Sequence, residues 1–230
     1  MKKFKNAENG VSKLFAAQIL ELIASVLLVI GFAFAVVMTA VQGADLSSGA
    51  TLAAKGIIGI TAIVSIFAAF VLFIVGFIIN IVGVSQASKD DEAFRIALYG
   101  VIAGIVFAIL GSIFVNISPM VSNLMQTLGT VADIFVLIYV IQGVRNLAVK
   151  LGNTQMDVKG DKLLKLILAV IILELIANII ATIYSGSVNQ VALSVGMTIS
   201  GVFAITAAVL QVVEYIMYLS YLAKAKKMLA

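Results

Sequence analysis

The apolar stretch LFAAQILELIASVLLVIGFAFAVVMTAV, residues 14–41, decides the class of this protein, because it is long enough to cross a membrane and carries a single charged residue, Glu21. About 20 apolar residues in a helix span the hydrocarbon core of a bilayer, which is about 30 Å thick. Lipid offers no hydrogen bonds to the backbone, so a single spanning segment must be a helix that satisfies its own polar groups. The stretch therefore predicts a transmembrane helix.

Five further apolar runs follow along the chain. They lie at about 56–84, 93–118, 131–149, 163–184 and 195–222. Hydrophobic residues make up 63% of the sequence and charged residues 11%, whereas about a quarter of the residues in a soluble domain are charged. The sequence predicts an all-α polytopic membrane protein in which residues 1–230 form one membrane domain of six transmembrane helices.

The first run also admits a different interpretation, a cleaved signal peptide. Ala33-Phe34-Ala35 resembles an Ala-x-Ala cleavage site. The apolar run continues past this site to Val41, however, and it shares a sequence motif with the fifth run. Both features favour a retained transmembrane helix.

The segment between the third and fourth runs has a helical pattern of its own. Ser118 and Pro119 are typical of a helix cap and a first helical residue, and apolar residues then recur at helical spacing until Gly129. We expect a short helix at residues 119–128 that lies on the outer membrane interface. Asp133 would then belong to the first turn of the fourth helix, where the helix dipole favours an acid.

The basic residues predict the orientation of the protein. Fourteen of the fifteen Lys and Arg residues lie at or near the same ends of the runs, and only Lys55 lies at the opposite ends. Because Lys and Arg are enriched on the cytoplasmic side of membrane proteins, we expect both termini in the cytoplasm and the protein in the cell membrane. This pattern also explains the net charge of +4 without a nucleic-acid partner.

A repeated string indicates how the helices are organised. The sequence LELIA occurs at residues 20–24 and again at 173–177, so that Glu21 and Glu174 take equivalent positions, and a weaker match at residues 99–104 has Gly100 in place of the acid. The second, fourth and sixth runs also end in similar sequences. These matches predict three helical hairpins in one orientation, as a parallel threefold repeat.

Three acidic residues inside the apolar runs are candidates for a functional site. Glu21, Glu174 and Glu214 lie eight to ten residues from flanking lysines, about 12 to 15 Å inside the cytoplasmic boundary. Asn178 and Thr182 continue the helix face of Glu174 at four-residue spacing. Carboxylates that share a low-dielectric cavity resist simultaneous ionisation, which favours a retained proton or a bound cation. We interpret these five residues as a proton or cation relay.

The alternative is that the same carboxylates are polar locks between helices. Arg95 or Arg145 could then descend from the cytoplasmic side and neutralise one or two of them. Insertion scales put a charge at the membrane centre at about 2.5 to 3.5 kcal/mol, which a stable bundle can tolerate.

The third run contains a ridge of small residues at four-residue spacing: Gly100, Gly104, Ala108 and Ser112. Such a ridge lets a second helix backbone approach closely. Its partner is either another helix of the same chain or a second copy in a homo-oligomer.

Composition excludes much enzymatic chemistry. The chain has neither Cys nor His, which removes thiol nucleophiles, Cys-ligated metals and the commonest general base. No nucleotide-binding Gly-x-x-x-x-Gly-Lys-Ser/Thr loop is present. We expect no catalytic residue, metal or cofactor. Two functions remain: transport or channel activity linked to protons or cations, or a non-transporting bundle for binding, assembly or protection, of the immunity type or as the subunit of a membrane complex.

Three two-helix repeats are similar to mitochondrial carriers, but those carry Pro-x-Asp/Glu-x-x-Lys/Arg in their odd-numbered helices and Pro119 is the only proline here. Length and span count also resemble vitamin-binding subunits of energy-coupling-factor transporters, and permease subunits of bacterial exporter and bacteriocin-immunity systems. No motif accompanies these likenesses, so the sequence assigns no family.

Overall fold

The computed structural model describes residues 3–42, 49–185 and 190–230, and within them every regular element is an α-helix. The six helices are α1 (Lys5–Gln42), α2 (Gly49–Ala87), α3 (Glu92–Phe114), α4 (Pro119–Lys150), α5 (Thr154–Ser185) and α6 (Gln190–Leu229). Each is long and apolar enough to cross a membrane. The predicted all-α class with six spanning helices is therefore confirmed. Of the basic residues that predicted the orientation, Lys2 lies outside the described residues.

Several helices extend well beyond the apolar runs that predicted them. α1, α2 and α6 contain 38, 39 and 40 residues, which corresponds to about 57 to 60 Å at a rise of about 1.5 Å per residue. The polar segments that precede the first and fifth runs are helical, as is the lysine-rich segment after the sixth. Since a bilayer core is about 30 Å thick, these end turns reach into the interface or the water.

The prediction of a separate interfacial helix at residues 119–128 is wrong, because these residues form the first turns of α4. Pro119 does begin a helix as predicted, but Gly129 does not end it. One glycine in a helix interior costs only about 1 kcal/mol. Packing holds the segment in line, since the buried hydroxyl of Ser122 donates a hydrogen bond of 2.9 Å to the Gly111 carbonyl of α3.

The helices pack as three hairpins, α1–α2, α3–α4 and α5–α6, which confirms the predicted pairing. The hairpins contact one another in a ring through α2–α3, α4–α5 and α1–α6. One end of the bundle, here called the base, contains the start of α1, the end of α6 and the α2–α3 and α4–α5 connections. Its core brings together Ala7, Ala87, Phe94, Ala148 and Leu229. The opposite end, which contains the last residues of α1, α3 and α5, is called the rim.

Burial is concentrated in the base. Nearly all of the large side chains that are fully buried lie there, among them Leu14, Phe94, Leu147, Leu163 and Leu222. Toward the rim the helices expose many Ile, Val and Phe side chains. Lipid tails satisfy such side chains, so the hairpins can diverge above a closely packed base.

Acidic residues at the α2–α3 connection join helices in the base. The Asp91 side chain is 4% exposed. It caps α3 by accepting a hydrogen bond of 3.0 Å from the Ala93 N–H, and it reaches α4 by accepting one of 2.7 Å from Lys150 Nζ. Asp90 accepts a hydrogen bond of 2.7 Å from the Ala7 N–H near the start of α1. Asp91 therefore joins the start of α3 to the end of α4, and Asp90 joins the α2–α3 connection to the start of α1.

The two helices of the first hairpin cross at backbone contact. A Cβ atom added to Gly10 would lie 2.5 Å from the carbonyl oxygen of Gly83 and 2.7 Å from the nitrogen of Ala87. A Cβ atom added to Gly83 would lie 2.9 Å from the carbonyl oxygen of Gly10. Because the opposing atoms are backbone, they cannot rotate aside, and glycine is required on both helices.

We expect Gly10→Ala to destabilise the protein by about 1 to 3 kcal/mol through overpacking, which is roughly 2 to 12 °C in Tm for a chain of this size. The matched control is Gly201→Ala in α6, where an added Cβ meets nothing within 4 Å. Helix propensity predicts no loss there and a gain of up to about 1 kcal/mol. Thermal unfolding of the purified protein in detergent, followed by circular dichroism, measures both. Equal shifts for the two variants would refute the close crossing of α1 and α2.

Candidate functional site

A half-enclosed cavity of about 720 Å³ lies between α1, α2, α3, α4 and α6. Val140 and Tyr218 line it and also belong to the packed core of the base. The base therefore closes the cavity on one side. The cavity lies where the close packing ends and the hairpins begin to separate.

Three acidic side chains line this cavity: Glu21 of α1, Asp133 of α4 and Glu214 of α6. At a rise of about 1.5 Å per residue, they lie about 22 to 26 Å along their helices from the base, so they share one level near the middle of the bundle. Within the described part of the chain, every charged residue that lines the cavity is acidic. When these carboxylates ionise, the cavity attracts cations.

Glu21 has the most polar surroundings of the three acids. Gln18 Nε2 donates a hydrogen bond of 2.8 Å to the Glu21 carboxylate, and the Asn80 amide of α2 lies beside the same carboxylate. A Cβ atom added to Gly76 would lie 3.2 Å from Glu21 Cγ, so glycine leaves room for this side chain. The Tyr215 hydroxyl donates a hydrogen bond of 2.8 Å to the Gln18 carbonyl, which ties α6 to α1 at the edge of the cavity.

Tyr218 adds a polar group at the closed side of the cavity. The residue is only 6% exposed and lines the cavity. Its hydroxyl has no hydrogen-bond partner among the residues that the structure describes. The position therefore suits a hydrogen bond to whatever occupies the cavity.

The remaining residues of the predicted relay lie outside the cavity lining. Glu174 accepts a hydrogen bond from Gln211 of α6 and lies close enough to Glu214 for their charges to interact. Asn178 and Thr182 are on an exposed face of α5, where the Thr182 hydroxyl donates a hydrogen bond of 2.8 Å to the Asn178 carbonyl. The structure thus brings Glu214 and Glu21 to one cavity, whereas none of the three α5 residues lines it.

The two arginines considered as charge partners pair with other carboxylates. Arg145 Nε donates a hydrogen bond of 2.8 Å to Asp157, and its Nη1 lies 3.8 Å from Asp161. Arg95 lies 2.6 Å from Glu92 in an exposed i,i+3 pair. These ion pairs hold both arginines near the base.

The small-residue ridge of α3 divides between packing and cavity. A Cβ atom added to Gly100 would lie 2.9 Å from Val136 Cγ2, so this end of the ridge packs against α4 within the same hairpin. Gly104 and Ala108 line the cavity. Ser112 is exposed, and its hydroxyl donates a hydrogen bond of 2.9 Å to the Ala108 carbonyl.

Asp133 is the cavity acid that the sequence analysis missed. It was expected in the first turn of a helix, but α4 begins at Pro119, so Asp133 lies four turns further along, in the middle of the bundle. The available signal was the continuous helical spacing of residues 119–150. Among the described residues, no group of acidic side chains is arranged to hold a metal ion.

Fold and cavity together define a multi-pass membrane protein, a six-helix bundle surrounded by a lipid bilayer. Comparisons of the chain with models of protein families, with curated proteins and with solved structures find no match.

Proposed function

We propose that this protein is a transport protein of the membrane in which protons or other cations use the carboxylates of the central cavity. The observation that carries the proposal is that Glu21, Asp133 and Glu214, one from each hairpin, line a single cavity at one level. Glu21 lies near enough to Asp133, and Glu214 to Glu174, for their charges to interact, and neighbouring carboxylates in a low-dielectric site resist simultaneous ionisation. A proton or a bound cation relieves this repulsion, so the site favours cation capture.

The closed base favours a transporter over an open channel. A channel needs a continuous water-filled path, whereas this cavity ends at Val140 and Tyr218 in the packed core. Passage across the membrane would require the base to open while the other side closes. The hairpins contact one another mainly through the base, which is where such a rearrangement would take place.

The second candidate function is a non-transporting bundle that binds, assembles or protects something in the membrane. Two hydrogen bonds between helices favour it: Tyr215 to the Gln18 carbonyl, and Gln211 to Glu174. These bonds hold α6 to α1 and α5. They leave open the role of Asp133 and Glu214, whose side chains line the cavity, and for this reason transport is preferred.

We also propose that the base faces the cytoplasm, because the described Lys and Arg residues, apart from Lys55, lie toward this end of the bundle. The chain has no Cys, so a cysteine in Ala230→Cys is a unique label. A membrane-impermeant maleimide should modify it only in permeabilised cells. Modification in intact cells would place the base outside.

In proteoliposomes, the wild-type protein should carry a proton or monovalent-cation flux that Glu21→Gln and Glu214→Gln each reduce by about tenfold or more, because each removes a cavity charge. A pH-sensitive dye and ion-selective electrodes measure the flux. The control is Glu92→Gln, which removes an exposed carboxylate at the base and should leave the flux unchanged.

Flux that survives both cavity substitutions would contradict the role of the carboxylates, whereas absence of flux in the wild type would favour the non-transporting bundle. In that case the same substitutions should act on thermal stability alone.

A further inference from the structure

We infer that the ligand of the cavity is an organic monocation with an apolar body, an inference that rests on the proposed function and names its substrate class. The evidence is the combination of volume, aromatic walls and acidic groups in one site. Each of these features accounts for a different part of such a ligand.

The size of the cavity exceeds what a proton or an inorganic ion needs. Its volume of about 720 Å³ falls within the range of about 300 to 1,000 Å³ that is typical of small-molecule sites. Small residues on α3 help to create this space, since Gly104 and Ala108 both line it. The cavity can therefore hold a molecule with several rings or branches.

The walls of the cavity suit an apolar body with a delocalised charge. Most of the lining is aliphatic or aromatic, and the aromatic rings belong to Phe73, Phe77, Tyr215 and Tyr218. Aromatic faces attract cations as well as apolar groups. A hydrated inorganic ion that loses its water would find few oxygen ligands on these mostly apolar walls, whereas the apolar groups of an organic cation would pack against them.

The acidic groups fix the sign of the ligand charge. Glu21, Asp133 and Glu214 belong to α1, α4 and α6, so the wall of the cavity contains acidic groups from all three hairpins. Arg145 and Arg95 pair with carboxylates at the base and do not line the cavity. An anion or a neutral molecule would leave the acidic groups without compensation.

Tyr218 supplies a hydrogen-bonding group at the closed side of the cavity. The residue is 6% exposed and lines the cavity, and within the described ranges its hydroxyl has no hydrogen-bond partner. A ligand with a hydrogen-bonding group near its cationic centre, or a water that it retains, would satisfy this hydroxyl.

The test uses tetraphenylphosphonium as the cation and tetraphenylborate as an anion of nearly the same size and shape. Binding of each radiolabelled probe to the purified full-length protein in detergent is measured by equilibrium dialysis. We expect saturable binding of tetraphenylphosphonium, weakened by about tenfold or more in Glu21→Gln and in Glu214→Gln, and no saturable binding of tetraphenylborate.

A steric variant separates this inference from the proposed function. Ala108→Phe adds a phenyl ring to the cavity wall and narrows the site, so it should weaken binding of tetraphenylphosphonium by about tenfold or more while a flux of protons or small cations in proteoliposomes persists. Ile102→Phe, on an exposed face of the same helix, is the matched control and should leave probe binding unchanged.

Equal binding of the two probes, or tetraphenylphosphonium binding that the Gln variants do not weaken, would overturn the inference and identify an apolar groove that lipid fills. Carboxylate-dependent flux of small cations without saturable tetraphenylphosphonium binding would overturn the substrate class alone. Absence of both flux and tetraphenylphosphonium binding in the wild type would overturn the proposed function as well.

Discussion

The packing of the base is the constraint on which the rest of this structure depends. Lipid tails are as apolar as the helix surfaces, so helices in a membrane associate through close backbone contact and hydrogen bonds instead of the hydrophobic effect. In this protein such contacts are concentrated at one end. Gly10 and Gly83 bring α1 and α2 to backbone distance, and the ring of Phe94 occupies the space that Gly143 leaves on α4. The buried carboxylate of Asp91 joins α3 to α4.

The acidic cavity follows from this uneven packing. Above the base the hairpins separate, and side chains in the middle of the helices meet open space. The base also determines the charge of that space, because Arg145 pairs with Asp157 there and Lys150 pairs with Asp91. Glu21 and Glu214 are thus left with hydrogen-bonding or acidic neighbours. A bundle that needed these acids only for stability would bring a cation to them.

Much of the fold could be predicted because lipid imposes a simple rule on sequence. Apolar runs of sufficient length predicted the six helices, and the repeated strings predicted their pairing, while the threefold repeat itself stays a prediction. The contact of α1 with α2 at Gly10 was not predicted, because Gly10 lies in the polar N-terminal segment before the first apolar run, which begins at residue 14. The cavity was harder to predict, because Gly129 resembled the end of a short helix. Asp133 was therefore expected in the first turn of the next helix and not in the middle of α4. Whether Glu174 turns toward the cavity or toward Gln211 depends on small helix rotations that spacing alone does not determine.

The most direct test of this account is the accessibility of single cysteines in α3 and α4, in a chain that has no native Cys. Ile105 lines the cavity, Ile102 is 51% exposed on the lipid side, and Val144 of α4 is fully buried in the base. In proteoliposomes, a cationic methanethiosulfonate should modify Ile105→Cys rapidly, because a hydrated acidic cavity admits and attracts the reagent, and should leave Ile102→Cys and Val144→Cys almost unmodified, because the reagent does not enter lipid or the packed base. Equal, slow reaction of all three cysteines would contradict the presence of a water-filled acidic cavity.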